Sequence, residues 1–155
     1  MTAVQDVQVR QAVFADLEAL ALLFDAYRQF QGRRSDLFAA HAFLRARFGH
    51  GESIVFLAQA SGHALGFAQL YPSYSSVSLK RIFVLNDLFV DPGARGRGIA
   101  SRLLKAVEAH AWTNDAARVT LSVARDNDVA RAIYEAKGWL REEGFCMYHR
   151  FPSGD

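Results

Sequence analysis

The sequence predicts an α/β fold in which a mixed, mostly antiparallel sheet of about seven strands is flanked by about four helices. Runs with apolar residues at alternate positions are interleaved with runs whose apolar residues recur at helical spacing. Three strand-like runs follow one another with no helix between them, which asks for hairpins. Later strands alternate with helices, which asks for crossovers. With no internal repeat, no low-complexity tract and only 3 prolines, residues 1–155 read as one domain.

Val7 and Val9 alternate with polar neighbours as in a short first strand, and Asp16 stands as N-cap before Leu17, Leu20, Phe24 and Tyr27. Ser35 is the expected cap of a second helix through Leu37, Phe38, Leu44 and Phe48, with Gly32 and Gly49 outside its ends. Ser53 to Ala60 and Ala64 to Ser73 are strand-like, and Ser61-Gly62-His63 between them reads as a hairpin turn. Ser76 to Val90 is the next strand, stopped by Asp91-Pro92-Gly93 because proline lacks the amide a ladder needs. A helix from about Gly98 to Trp112 buries Ile99, Leu103, Leu104 and Val107, with Trp112 and Trp139 expected in the packing. Arg118 to Ala124 is a strand by alternation. Asn127 caps a helix to about Lys137, and Gly138 ends it in a left-handed position. Trp139 to Arg141 and Phe145 to Phe151 close the sheet.

Composition narrows the function. With 51% apolar and 22% charged residues the chain is not intrinsically disordered. The single cysteine, Cys146, excludes an intramolecular disulfide and reads as a buried small hydrophobe of the last strand. His41, His50, His63, His110 and His149 show no ligand spacing, so no metal is expected. No apolar run approaches the ~18–20 residues that span a bilayer, so no membrane partner is expected. Met1-Thr2-Ala3-Val4-Gln5-Asp6 lacks the basic-then-apolar pattern of a signal peptide, which predicts a cytoplasmic protein. A net charge of +2 is too mild to ask for nucleic acid. Between Pro92 and Val107, however, Arg95, Arg97, Arg102 and Lys105 meet no carboxylate, and that local excess asks for an anion.

The same segment carries the sharpest motif. Val90-Asp91-Pro92-Gly93-Ala94-Arg95-Gly96-Arg97-Gly98-Ile99-Ala100-Ser101 runs from a strand end through a glycine-rich loop into a helix start. Such a junction aims free backbone N–H groups and the positive end of the helix dipole at one point, a phosphate cradle. Side chains at Gly96 and Gly98 would hold phosphate oxygens away from the amides, and Arg95 and Arg97 add charge. No lysine follows the glycines as a P-loop requires, and Ser101 stands where a dinucleotide fingerprint needs its third glycine.

Arg95-Gly96-Arg97-Gly98-Ile99-Ala100 resembles the R/Q-x-x-G-x-G/A signature of the GNAT superfamily of N-acetyltransferases, and Asn86-Asp87-Leu88-Phe89-Val90 resembles that family's fourth strand. Asn127-Asp128-Val129-Ala130-Arg131-Ala132-Ile133-Tyr134-Glu135-Ala136-Lys137-Gly138-Trp139 is similar to its N-x-x-A-x-x-x-Y-E-x-x-G-F helix. Motifs and element order together cover essentially the whole chain. The resemblance implies acetyl-CoA as co-substrate, its pyrophosphate on the amides from Gly96 to Ser101, and Asn127, Arg131 and Tyr134 among the groups that bind it. It implies that Leu88, Phe89 and Val90 follow the pantetheine arm where the fourth strand bulges and splays from the next. A backbone N–H turned out there serves as an oxyanion donor, typically worth ~2.7–4 kcal/mol. It also implies a homodimer, since the family is often dimeric.

Tyr134 falls at the family's general-acid position; read from its helix alone it is a core aromatic beside Ile133. A phenol with pKa ~10 gives its proton to a thiolate of pKa ~8.5 slightly uphill unless the site tunes one of them. The acceptor amine, with pKa ~10.4, is about one part in 2,500 neutral at pH 7, a handicap of roughly 4.6 kcal/mol that a base must offset. The diamine-acetylating branch carries a glutamate where Asn86 stands, so Asp87 is the nearest candidate base, with Glu142 and Glu143 as others. Tyr27, Tyr71, Asn86 and Asp87 are the candidate acceptor contacts, and Asp25, Phe30, Ser73 and Tyr74 lie near the same pocket. The function so implied is direct acetyl transfer from acetyl-CoA to a primary amine, of a small molecule in the first instance. The alternatives are a catalytically silent CoA-binding module and a protein lysine or N-terminal acetyltransferase.

Overall fold

The computed structural model describes residues 6–154, so residues 1–5, on which the signal-peptide expectation rests, lie outside the described residues. The chain falls into two compact units, Met1–Ser122 and Val123–Asp155.

In the first unit a five-stranded sheet has the order β1 (Gln8–Gln11), β2 (Ile54–Ala60), β3 (His63–Ser75), β4 (Lys80–Val90) and β5 (Val119–Leu121). Its first four strands are antiparallel neighbours, and β5 lies parallel to β4 after a helical crossover. The turn between β2 and β3 has positive φ at both Ser61 (49°) and Gly62 (76°), the twist that a two-residue hairpin demands. Alternation sorts the two faces. Val55, Leu57, Phe67 and Phe89 face α1 (Leu17–Phe30) and α2 (Leu37–Gly49), in a core with Leu20, Phe24 and Leu44. On the other face α3 (Ile99–Thr113) buries Ile99, Leu103, Leu104, Val107 and Ala111 against β2, β3 and β4.

Several boundaries differ from expectation for local reasons. Asp16 spends its carboxylate on the Val13 N–H (2.7 Å) and on a two-pronged ion pair with Arg10 (2.8 Å each), so it closes the turn before α1 rather than capping the helix. Asp36 caps α2, accepting from the Ala39 N–H at 3.0 Å, while the expected cap Ser35 donates to Asp25 at 2.6 Å. The strand expected from Ser76 begins at Lys80, because Ser75 Oγ accepts from the Ser78 N–H and closes a turn. Trp112 is 56% exposed rather than packed.

In the second unit Asn127 caps α4 (Asp128–Ala136) by accepting from the Ala130 N–H at 3.2 Å, and Gly138 follows with φ +88°, both as the sequence predicts. Among the described residues the closing strands expected at Trp139–Arg141 and Phe145–Phe151 are not formed, and the sheet has five strands rather than about seven. Alternation makes a strand only where a neighbour supplies ladder hydrogen bonds. Leu140, Phe145, Met147 and Tyr148 are exposed, as is Cys146, which was expected to be buried.

Candidate functional site

The site grows from one irregularity in β4. Gln69 pairs with Asp87 and the next residue of β3, Leu70, pairs with Leu85, so Asn86 is an extra residue, a β-bulge. Without it Asp87 would share a face with Leu85; the bulge reverses the alternation and turns Asp87 toward α1. Pairing with β5 covers only Phe83, Val84 and Leu85, so β4 leaves its parallel neighbour at the bulge. From Asn86 to Val90 one edge of an inner strand is therefore open.

Asp87 is 5% exposed. Gln69 Nε2 donates to its Oδ2 at 2.7 Å, Asn86 Nδ2 donates to its Oδ1 at 3.0 Å, and Tyr27 of α1 also hydrogen-bonds to it. Burial nonetheless dominates and lifts its pKa above the ordinary carboxylate value. The result is a carboxylate oriented by three donors and more basic than one in water. Asn86, exposed, cannot take a proton and acts as a donor to its neighbour.

Downstream, Asp91 Oδ1 accepts from the Gly93 N–H at 2.8 Å and shapes the turn Pro92–Ala94, and Gly96 (φ +81°) and Gly98 (φ +73°) lead into α3. Gly98 is the N-cap of α3 and has no side chain to cap it. The first-turn amides of Ile99, Ala100 and Ser101 thus point out of the helix end without an acceptor among the described residues, while the Ile99 side chain anchors the turn in the core. That geometry fits a pyrophosphate. A Cβ added at Gly96 or Gly98 meets nothing within 4 Å, so what these glycines supply is the left-handed backbone. Arg97 and Arg102 are both exposed and available to an anion. Arg95 is engaged differently: its Nε donates to the Val90 carbonyl at 3.0 Å, and its guanidinium lies over the rings of Phe30 (5.3 Å) and Phe89 (5.6 Å).

The acceptor candidates separate. Tyr27 packs on Phe24, Phe67 and Phe89 and reaches Asp87, so it serves both packing and the site. Tyr71 lies on β3 two residues from Gln69, on the same face, and burial beside Asp87 pushes its phenol up to about 12. Asp25 is a structural group: its carboxylate accepts from Ser35 Oγ (2.6 Å), the Asp36 N–H (2.8 Å) and Gln29 Nε2 (3.2 Å), which holds its pKa low and pins the chain between α1 and α2.

In the second unit Asn127 is used as a helix cap, and Arg131 Nη1 donates to the Arg125 carbonyl (2.8 Å) and to Asp128 (3.2 Å). Tyr134 packs its ring 6.0 Å from Trp139, and burial raises its pKa. Glu142 Oε1 accepts from the Gly144 N–H at 2.6 Å.

Two residues of the site escaped sequence reasoning. Gln69 sits in an apolar strand, and only the bulge puts it opposite Asp87. Gly66 faces β4 so closely that a Cβ there would meet the Phe89 carbonyl oxygen at 2.8 Å. A glycine inside an apolar strand was the available signal for the second.

A family model described as Acetyltransferase (GNAT) family matches residues 17–139. The chain is 46% identical over 140 residues to the N-acetyltransferase YhfO of Bacillus subtilis (strain 168), covering 90% of this chain and 94% of the relative. A crystal structure of a probable acetyltransferase superposes with a TM-score of 0.89 at 38% identity, covering 96% of this chain and 99% of the other. The aminoglycoside N(6')-acetyltransferase type 1 of Salmonella typhimurium is 25% identical over 130 residues, covering 77% of this chain and 89% of that protein. The chain belongs to the GNAT family of acetyltransferases. It is an acetyl-CoA-dependent N-acyltransferase with the family's α/β fold.

Proposed function

We propose that the protein moves acetyl directly from acetyl-CoA to a primary amine of a small molecule, with no acyl-enzyme intermediate. The observation that carries this reading is the buried carboxylate of Asp87, turned by the bulge toward the acceptor side of the sheet where β4 leaves β5. In this reading Asp87 takes a proton from the acceptor's ammonium group, a role its raised basicity suits, and the neutral amine so formed attacks the thioester carbonyl. The open edge of β4 from Leu88 to Val90 receives the pantetheine arm, and a backbone N–H beside the bulge holds the thioester oxygen as charge develops on it. Gly96 to Ser101 hold the pyrophosphate, with Arg97 contributing charge. Tyr134, protonated throughout the neutral range, gives its proton to the departing thiolate. Asn127 and Arg131 act by shaping the helix that carries Tyr134. The family model runs through both compact units, which supports reading them as one acetyltransferase domain. The similarity to an aminoglycoside acetyltransferase supports a small-molecule acceptor.

The test is thiol release from acetyl-CoA with amines of several classes, alongside calorimetric titration of the donor. Donor binding with release on a small amine is the expected result. Donor binding with release only on peptides would move the acceptor to proteins, and binding with no release would make the chain a sensing module.

A further inference from the structure

One end of the open edge of β4 is covered by a side chain. The Asp91 N–H donates to the Leu65 carbonyl, and Val90 stands opposite Gly66 in the register of β3 and β4. Antiparallel hydrogen bonding alternates, so Phe89 and Asp91 turn their backbone groups to β3 while Leu88 and Val90 turn theirs to the open side. Arg95 reaches back from the glycine-rich turn to that side, and its Nε donates to the Val90 carbonyl at 3.0 Å. The carbonyl it holds is one that a donor lying along the edge would meet. An unpaired strand edge also invites a foreign strand, and a long cationic side chain laid on it discourages one.

The hold on Arg95 is of a kind that gives way. Its guanidinium lies over the rings of Phe30 at 5.3 Å and Phe89 at 5.6 Å, which are themselves 6.1 Å apart. Phe30 is 65% exposed at the end of α1, so that contact is made in water. Among the described residues no carboxylate pairs with Arg95, whereas Arg10 is gripped by both oxygens of Asp16. One exposed hydrogen bond and two ring contacts contribute little net free energy each. The side chains of Arg97 and Arg102 make no hydrogen bond among the described residues, so charge for a pyrophosphate is at hand without Arg95.

We propose that Arg95 is a placeholder on the donor edge: it covers the Val90 carbonyl while the site is empty, and the pantetheine arm of acetyl-CoA displaces it when an amide of the arm takes that carbonyl over. This rests on the reading of the β4 edge as the seat of the arm. Departure of the guanidinium uncovers Phe30 and Phe89, and the ring of Phe89 lies 5.8 Å from that of Tyr27 on the acceptor side.

Calorimetry of CoA and of its nucleotide half, the phosphorylated ADP that carries the pyrophosphate and no arm, tests this without turnover. The ratio of the two Kd values isolates the arm. Arg95→Met keeps the reach of the side chain and removes its donor and charge; Phe30→Leu loosens the guanidinium and keeps every charge. Both positions are exposed, so neither change threatens the fold. The arm's contribution is expected to rise by about two- to tenfold in Arg95→Met, the weight of one net hydrogen bond, and by about twofold in Phe30→Leu. The double variant should gain no more than Arg95→Met alone, because both act on one contact. An unchanged or smaller contribution in Arg95→Met would overturn the proposal, and equal weakening of both ligands would make Arg95 a pyrophosphate ligand instead. Gains that multiply in the double variant would also overturn it. If CoA binds the native protein no more tightly than its nucleotide half, the reading of the edge falls and the placeholder with it.

Discussion

Gln69 Nε2 lies 2.7 Å from Asp87 Oδ2, and the two residues face each other directly across β3 and β4. Gln69 is fully buried and its Oε1 has no partner among the described residues, so its Nε2 donation to the carboxylate is the hydrogen bond its side chain makes there. That donation holds Asp87 lower than burial by itself would. Replacing Gln69 by Met keeps the volume and removes the bond, so the pKa of Asp87 rises further. The other groups that act on Asp87 stay in place: Tyr27 from α1 and Asn86 beside it, with Tyr71 of β3 on the same face. The acid limb of kcat/KM is expected to move to higher pH in Gln69→Met, with the high-pH plateau less affected. A limb that stays where it is in the native protein would show that Gln69 is mere packing.

Asp87 itself gives a paired prediction for rate and stability. Its folded pKa is raised, so the folded state holds the proton to higher pH than the unfolded chain, and folding stability falls as pH rises through that window. Asp87→Asn removes the cost of a buried charge. Activity is expected to drop by about 10²–10⁴-fold, the usual contribution of a general base, while Tm at neutral pH does not fall. Thermal melts and steady-state rates on the same preparation check both halves.

Tyr134→Phe deletes only a hydroxyl from a half-buried ring that packs, tilted by 52°, against Trp139. Because burial raises the phenol pKa, the group is a proton donor at neutral pH, and loss of rate is expected only at the step that protonates the thiolate. Turnover should fall with donor affinity nearly unchanged. Calorimetry of donor binding and single-turnover rates separate the two, and an unchanged rate would release Tyr134 to a packing role.

Gly66→Ala tests the backbone beneath the site. The new methyl would lie 2.8 Å from the Phe89 carbonyl oxygen and 3.3 Å from Val90 Cα, neither of which can swing aside. A loss of about 1–3 kcal/mol is expected from the forced shift of β4, with weaker acetyl-CoA binding as its companion. A stable variant with native donor affinity would mean that β4 is free to move away from β3.

The sequence made the crossover and the glycine-rich turn before α3 legible, since glycine, proline and capping residues act on their own neighbours. Asn127 and Gly138 behave as a local reading requires, and so does the Ser61-Gly62 turn. Whatever depends on a partner strand was harder to read. The run from Phe145 to Phe151 alternates as a strand does yet finds no ladder among the described residues. The bulge at Asn86 leaves no compositional mark, so Asp87 was nameable from its motif but its face of the sheet and its dependence on Gln69 were not. Asp25 illustrates the opposite error, an acid near the site in sequence that is consumed by Ser35 and Asp36.

The divergence of β4 from β5 also has a signature in solvent exchange. Alternate amides between Asn86 and Val90 point away from β3 toward no strand among the described residues, and of the carbonyls there Val90 is claimed by Arg95. Amides on that edge of an otherwise protected strand should trade their hydrogens for deuterium quickly, while those bonded to β3 exchange only on larger openings. Acetyl-CoA lying along the edge would slow the first set selectively, drawing the outline of the bound donor in the deuterium uptake of alternate residues between Asn86 and Val90.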